Sequence, residues 1–212
     1  MPRYIRTYVE NEELVRQRRE HIAQCAIRVF FEKGYKGATT RQLAKACGMS
    51  EGALYRYIGS KSDILHLICT RALTSRPILE RFRSELGDIS PTESLCRCIE
   101  RYFLMEHEGA DSVIFFGREI QNFSHEDRGA ILRSQVDLVK FFESLLVEGI
   151  NAGEFQIDNR TLMAHDIVMR GQDYALRRWF LKKLFTLQEY TQNYIKLILK
   201  CIQITYNLEE GR

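Results

Sequence analysis

The residues of this chain with usable chemistry crowd into one short stretch, CGMSEGALYRYIGSK, running from Cys47 to Lys61. Ser50 is of a type that caps a helix start. Gly52 and Ala53 leave the first turn of that helix almost bare, and Tyr55, Arg56 and Tyr57 follow before Lys61. Small residues admit the close approach of another surface. Phenol hydroxyls and cationic groups bond phosphate oxygens, which fixes position without reading sequence. A methyl at Ala53 can touch a thymine methyl, and Arg41, slightly upstream, can donate to a guanine edge. This is recognition chemistry for duplex DNA.

Bond-making chemistry has no comparable foundation. The chain carries no phosphate-cradling glycine loop and no nucleophile set beside a base. His21, His66, His107, His125 and His165 are scattered and read as surface or capping residues. Cys25, Cys47, Cys69, Cys96, Cys98 and Cys201 form no CxxC pair, so neither a metal site nor a cofactor is expected. An enzyme is the rival reading that these absences disfavour. A helical adaptor without DNA binding is the other rival, and the intact Arg41, Tyr57 and Lys61 argue against it.

Composition sets the frame. The 212 residues carry a net charge of +3 and 45% hydrophobic residues, enough for a buried core. Up to Lys61 there are 12 Lys and Arg against 6 Asp and Glu, whereas the remainder holds 19 against 22. A basic front on a mildly acidic body points to a polyanion partner at one end. No run of about 18 apolar residues or signal-type segment is visible, so a cytoplasmic protein without disulfides or a membrane partner is expected.

The elements that must position the stretch are helices. Between Glu12 and Lys33, Ile22, Cys25, Ala26, Val29 and Phe30 follow the spacing of one helix face, and Gly34 ends it. Thr39 with Gln42 three residues later makes a capping box for a short second helix, its buried side Leu43, Ala44 and Cys47. Gly48 stops it, and Ser50 opens a third helix anchored by Leu54 and Ile58. Two short helices joined by a glycine turn behind a longer support helix form a helix-turn-helix, whose second helix enters the major groove. The candidate DNA-binding residues are Thr40, Arg41, Gln42, Ser50, Gly52, Ala53, Tyr55, Arg56, Tyr57 and Lys61.

The span from Gly34 to Leu65, GYKGATTRQLAKACGMSEGALYRYIGSKSDIL, resembles the N-terminal signature of the TetR family of bacterial transcriptional regulators. The match rests on Gly34, Thr39, Leu43, Ala44, Gly48, Ser50, Gly52, Leu54, Tyr55 and Lys61. Met49 stands where Val is usual and Ile58 where Phe is usual, both still apolar. The resemblance places Arg41, Ala53, Tyr55, Tyr57 and Lys61 at DNA-touching positions. It implies an all-α protein: a helix-turn-helix domain over residues 1–60, then a larger helical ligand-binding and dimerisation domain over 61–212.

That larger region reads as a linking helix over residues 61–86 broken near Pro77, then helices opening at Ser90 or Thr92, and further ones to about Tyr206. One helix is expected from about Asp158 to Lys183 with Trp179 turned inward. The last helix is apolar on more than one side, with Ile204 and Thr205 among its residues, and Gly171 permits a close helix–helix approach. The resemblance implies dimerisation through the last two helices, so Gly171, Tyr194, Ile198, Cys201 and Ile202 are the candidate dimer interface. Phe103, Phe115, Phe116, Phe141 and Met169, with Arg118 as a polar fixer, are the candidate ligand pocket. The basic run ALRRWFLKK can serve a ligand's phosphates. The whole reads as a homodimeric repressor released from a palindromic operator by a small hydrophobic effector, with an acyl-CoA thioester the specific suggestion.

Overall fold

Asn11 opens the chain's first helix by accepting the N–H of Leu14 at 2.9 Å, and Glu12 and Glu13 lie at its positive end. The computed structural model describes residues 5–74 and 77–203, and every regular element among them is helical. Helix α1 spans Glu12–Gly37, with a kink at Gly34, whose φ of +70° is the left-handed conformation foreseen for a helix-stopping glycine. Helix α2 is Thr40–Ala46, α3 Glu51–Tyr55 and α4 Lys61–Thr74. Helix α5 begins at Pro77 and runs to Glu85. Then come α6 Pro91–Glu108, α7 Ala110–Glu119, a 3-10 turn Ile120–Asn122, and α8 His125–Asn151. Helices α9 Arg160–Leu176, α10 Arg178–Leu181 and α11 Leu187–Gln203 complete the described chain.

The residues divide into two compact units. One comprises Met1–Ser75 with Asp111–Arg133, the other Arg76–Ala110 with Ser134–Arg212. This differs from a boundary at residue 60: α4, α7 and the start of α8 pack with the N-terminal helices. The reason is aromatic and ionic. In the first unit Phe115 stacks on Phe30 of α1 at 5.8 Å, and Glu119 accepts the N–H of Tyr35 at 3.1 Å. Buried Asp127 pairs with His66 of α4 at 2.6 Å.

In the second unit α6 packs on α5, α9 and α11, around Leu95, Ile99, Tyr102, Phe103, Phe142, Ile167 and Ile198. Ser90, not Thr92, caps α6, accepting from Glu93 N at 3.1 Å; Thr92 donates instead to Glu154. The helix expected to reach Lys183 ends at Leu176. A short turn carries the chain through α10, and Tyr174 bonds the Phe185 carbonyl at 3.2 Å. Trp179 is 67% exposed, contrary to the inward placement expected of it. Ile204, Thr205 and the expected helix end at Tyr206 lie outside the described residues.

Candidate nucleic-acid interface

Helix α2 is set by its capping box: Thr39 Oγ1 accepts from Gln42 N at 3.2 Å while Gln42 Oε1 accepts from Thr39 N at 3.1 Å. Leu43 and Ala44 are fully buried on the α1 side. Cys47 closes the helix, its N–H directed at the carbonyls of Leu43 and Ala44, and Gly48 turns the chain with φ +68°. Ser50 Oγ then accepts from Ala53 N at 3.1 Å to start α3. Thr40 Oγ1 donates to the Glu51 carboxylate, tying the two short helices together. Leu54 anchors α3 from below, wholly buried, and Ile58 packs just after the helix ends at Tyr55.

What remains outward is the recognition surface. Arg41, Gln42, Lys45, Ser50, Gly52, Tyr55 and Arg56 are exposed; Thr40 and Ala53 are half-buried. A Cβ built at Gly52 would meet nothing within 4 Å, so the start of α3 faces open space. Basic side chains flank a nearly bare helix start, the arrangement expected of a major-groove reader.

Two expected contact residues are placed differently. Tyr57 is buried in the core of the first unit, because α3 has ended at Tyr55 and the helical face count no longer holds. Lys61 donates from Nζ to the Ala38 carbonyl at 2.7 Å and lies 4.4 Å above the Tyr35 ring. Burial draws its pKa below the ordinary lysine value, against the pull of nearby Glu119. It therefore fastens the end of α1 to the start of α4.

The structure adds a segment that helix-directed reading passed over. Tyr8 N and Thr7 Oγ1 both donate to the Arg56 carbonyl, at 3.1 and 3.0 Å. Arg19 of α1 holds the Ile5 and Tyr57 carbonyls at 2.8 and 2.9 Å. This fixes the chain before α1 beside the end of α3, with Arg6 and Tyr8 exposed and the guanidinium 4.8 Å from the ring centre. Its only sequence signal was the basic, aromatic composition of MPRYIRTY.

The aromatic residues grouped as one pocket are divided between the two units. Phe115 and Phe116 pack with Phe123 in the first, and Arg118 is exposed there, 5.9 Å from the Phe31 ring centre. Phe103 and Phe141 are buried in the second, where Met169 is exposed. Helical spacing gave each residue a buried face without saying which core it joined. A separate cleft of about 360 Å³ lies in the second unit, lined by Glu80, Arg83, Ser84, Gly87 and Glu148 among others. Away from that cleft's lining, His107 Nδ1 of the same unit is buried without a hydrogen-bond partner among the described residues, its ring edge-on to Tyr174.

The dimer residues also need correction. Gly171, Tyr194, Ile198 and Ile202 are buried inside the chain's own second core, and only Cys201 is exposed. Gly171 makes its close approach to Tyr102 and Phe103 of α6, and Tyr194 bonds Asp166 at 2.8 Å. The exposed large apolar residues of α9 and α11 are instead Leu162, Met169 and Leu176, seven residues apart along α9, and Leu197 on α11. A stripe defined only by apolarity cannot separate an internal seam from an external one.

Among the described residues no helix is long and apolar enough to cross a membrane, and no three metal-ligating side chains converge. The family described as bacterial regulatory proteins, tetR family, matches residues 22–68, and a tetracyclin repressor-like C-terminal domain matches residues 88–202. The HTH-type transcriptional regulator HbdR of Aromatoleum sp. (strain CIB) is 25% identical over 201 residues, covering 92% of this chain and 85% of that protein. The fold is similar to a bacterial regulatory protein in the tetR family from Rhodococcus RHA1, with a TM-score of 0.75 at 24% identity, covering 88% of this chain and 97% of that one. It is also similar to AibR solved in complex with isovaleryl coenzyme A and operator DNA. There the TM-score is 0.70 at 22% identity, with 85% of this chain and 97% of that one covered.

Proposed function

The chain belongs to the tetR family of bacterial regulatory proteins and is a DNA-binding transcriptional regulator; we propose that it acts as a homodimeric repressor released from a palindromic operator by an acyl-CoA thioester. The observation that carries the reading is the open start of α3, where Gly52 faces free space between exposed Arg41, Tyr55 and Arg56. Two such surfaces, related by a twofold axis, suit two successive major-groove sites about 34 Å apart. The protein works in the cytoplasm, takes no cofactor and catalyses no reaction.

A second copy covers the exposed apolar positions of α9 and α11, Leu162, Met169, Leu176 and Leu197. The effector enters the second unit among Phe103 and Phe141, with the unpartnered His107 nitrogen as a polar contact. AibR, a structural relative, was solved with both an acyl-CoA and operator DNA, which supports this effector class. The basic Arg177, Arg178, Lys182 and Lys183 are exposed and suit a coenzyme's phosphates. Effector binding shifts the population of head spacings away from the one that fits the operator; a useful switch needs a coupling of about 1–3 kcal/mol.

The test is a mobility shift on the DNA upstream of the protein's own gene, titrated with acyl-CoAs of graded chain length and with free coenzyme A. Release by one range of acyl chains and not by coenzyme A alone is expected. That ligand should also stabilise the fold, by about 2.7 kcal/mol at a hundredfold excess over its Kd. DNA binding untouched by every acyl-CoA would retain the regulator and remove the effector class.

A further inference from the structure

Burial alternates along the chain before α1. Ile5 is buried, Thr7 and Val9 are half-buried, and Arg6, Tyr8 and Glu10 are exposed. The inward set is pinned. Ile5 is 6% exposed, and Val9 packs on the core of the first unit. Thr7 Oγ1 donates to the Arg56 carbonyl and accepts the Val9 N–H at 3.3 Å. From the α1 side, Arg19 holds the Ile5 carbonyl and reaches the Arg6 carbonyl at 3.5 Å. The first residues of a domain are poorly ordered unless tied down. Here the ties lie on one side, so the outward side chains are set in advance.

The outward side presents a cation and a phenol. The Arg6 guanidinium lies over the Tyr8 ring, 4.8 Å from its centre. Contact with a ring face engages the charge of a guanidinium and leaves its donor fork for an oxyanion. The Tyr8 ring is 64% exposed, and its hydroxyl is a further donor.

The position of the pair decides its partner. Tyr8 N donates to the Arg56 carbonyl at the end of α3. A Cβ at Gly59, in the turn that leads to α4, would stand 3.9 Å from Arg6 Cβ. Helix α3 has five residues, so it is about 7.5 Å long, whereas the major groove is about 12 Å wide. With the bare start of α3 at the base edges, the segment bonded to its end falls at the groove wall. That wall is a row of phosphates.

We propose that residues 5–8 are a phosphate-binding arm, in which Arg6 and Tyr8 grip the DNA backbone beside the groove that α3 enters. The contact carries no base preference. It sets the depth and register of α3, because the arm and that helix share the Arg56 carbonyl. Glu10, next on the outward side, repels phosphate and confines the grip to Arg6 and Tyr8. The proposal rests on the regulator reading.

The experiment measures binding of the full-length protein across a salt series, on the duplex upstream of its own gene and on a scrambled duplex of equal length. Arg6→Gln should melt like the parent yet bind both duplexes about tenfold more weakly at low salt. It should also lower the slope of log K against log salt by about one unit for each arm engaged. Arg6→Lys keeps the charge and should keep that slope. Arg97→Gln removes an exposed charge from α6 and should leave both affinity and slope unchanged. An unchanged slope in Arg6→Gln overturns the proposal, whatever the affinity. So does a loss confined to the upstream duplex, which assigns Arg6 to a base edge. A parent protein that binds neither duplex at any salt removes the regulator reading itself, and the arm's role with it.

Discussion

Gly171 and Tyr102 are in contact across α9 and α6: a Cβ at residue 171 would stand 2.5 Å from Tyr102 Cε1 and 3.0 Å from Phe103 Cδ1. The Tyr102 hydroxyl, one turn away, donates to the Val168 carbonyl at 3.0 Å, so the ring cannot swing aside without losing that bond. Gly171→Ala gains about 1 kcal/mol of helix propensity and meets an overpacking cost of about 1–3 kcal/mol. A lower urea midpoint is expected. A midpoint that is unchanged or higher would show that α6 and α9 can part without cost.

The last helix gives a paired test of what its two faces do. Ile198 is 3% exposed in the core of the second unit, whereas its neighbour Leu197 is 55% exposed. Ile198→Asp should unfold that unit, since an unpaired buried carboxylate is not tolerated. Leu197→Asp should leave the helical content and the melting behaviour of the unit intact but yield monomers by sedimentation. A folded dimer from Leu197→Asp would move the dimer contact elsewhere.

The N-terminal helices show how far sequence alone reached. The caps at Thr39 and Ser50, the left-handed Gly34 and Gly48, and the burial of Leu43 and Leu54 were all legible, because each depends on neighbours within a few positions. The partners of Phe115, Gly171 and Lys61 were not. Periodicity says that a side chain is covered, and long-range contacts decide by what. Phe115 met Phe30 across 85 positions, and Lys61 found the Ala38 carbonyl before any phosphate. Tyr57 was misplaced for a local reason: α3 ended at Tyr55, so the face count no longer applied.

Alkali should act through buried thiols. Burial raises Cys69 to about 12 and Cys98 to about 11 from a reference of 9.0. Both folded pKa values lie above the unfolded ones, so the stabilisation is complete below about pH 9. It is lost as the pH rises towards 11 and 12, because the unfolded thiols ionise first. Each group contributes a slope of at most about 1.4 kcal/mol per pH unit in that window. Cys98→Ala should flatten the fall in urea midpoint between pH 9 and 11, relative to the parent protein. An identical fall in both proteins would assign alkaline loss to other groups.

The DNA surface offers a comparison in which three residues give three different results. Arg41→Ala should cost about 1–3 kcal/mol on the operator and relax preference at one base pair, the mark of a base-reading side chain. Gly52→Ala adds a methyl in open space on a helix, so the free protein should be as stable as the parent or slightly more so. The same methyl stands where α3 meets the groove, so operator binding should nevertheless weaken. Lys61 completes the comparison. A lysine spent on a phosphate contributes about one unit to the salt dependence of binding. Because its ammonium is held by the Ala38 carbonyl above Tyr35, Lys61→Ala should lower thermal stability and leave that slope nearly unchanged. A slope reduced by about one unit would mean that Lys61 leaves Ala38 for the DNA backbone when the complex forms.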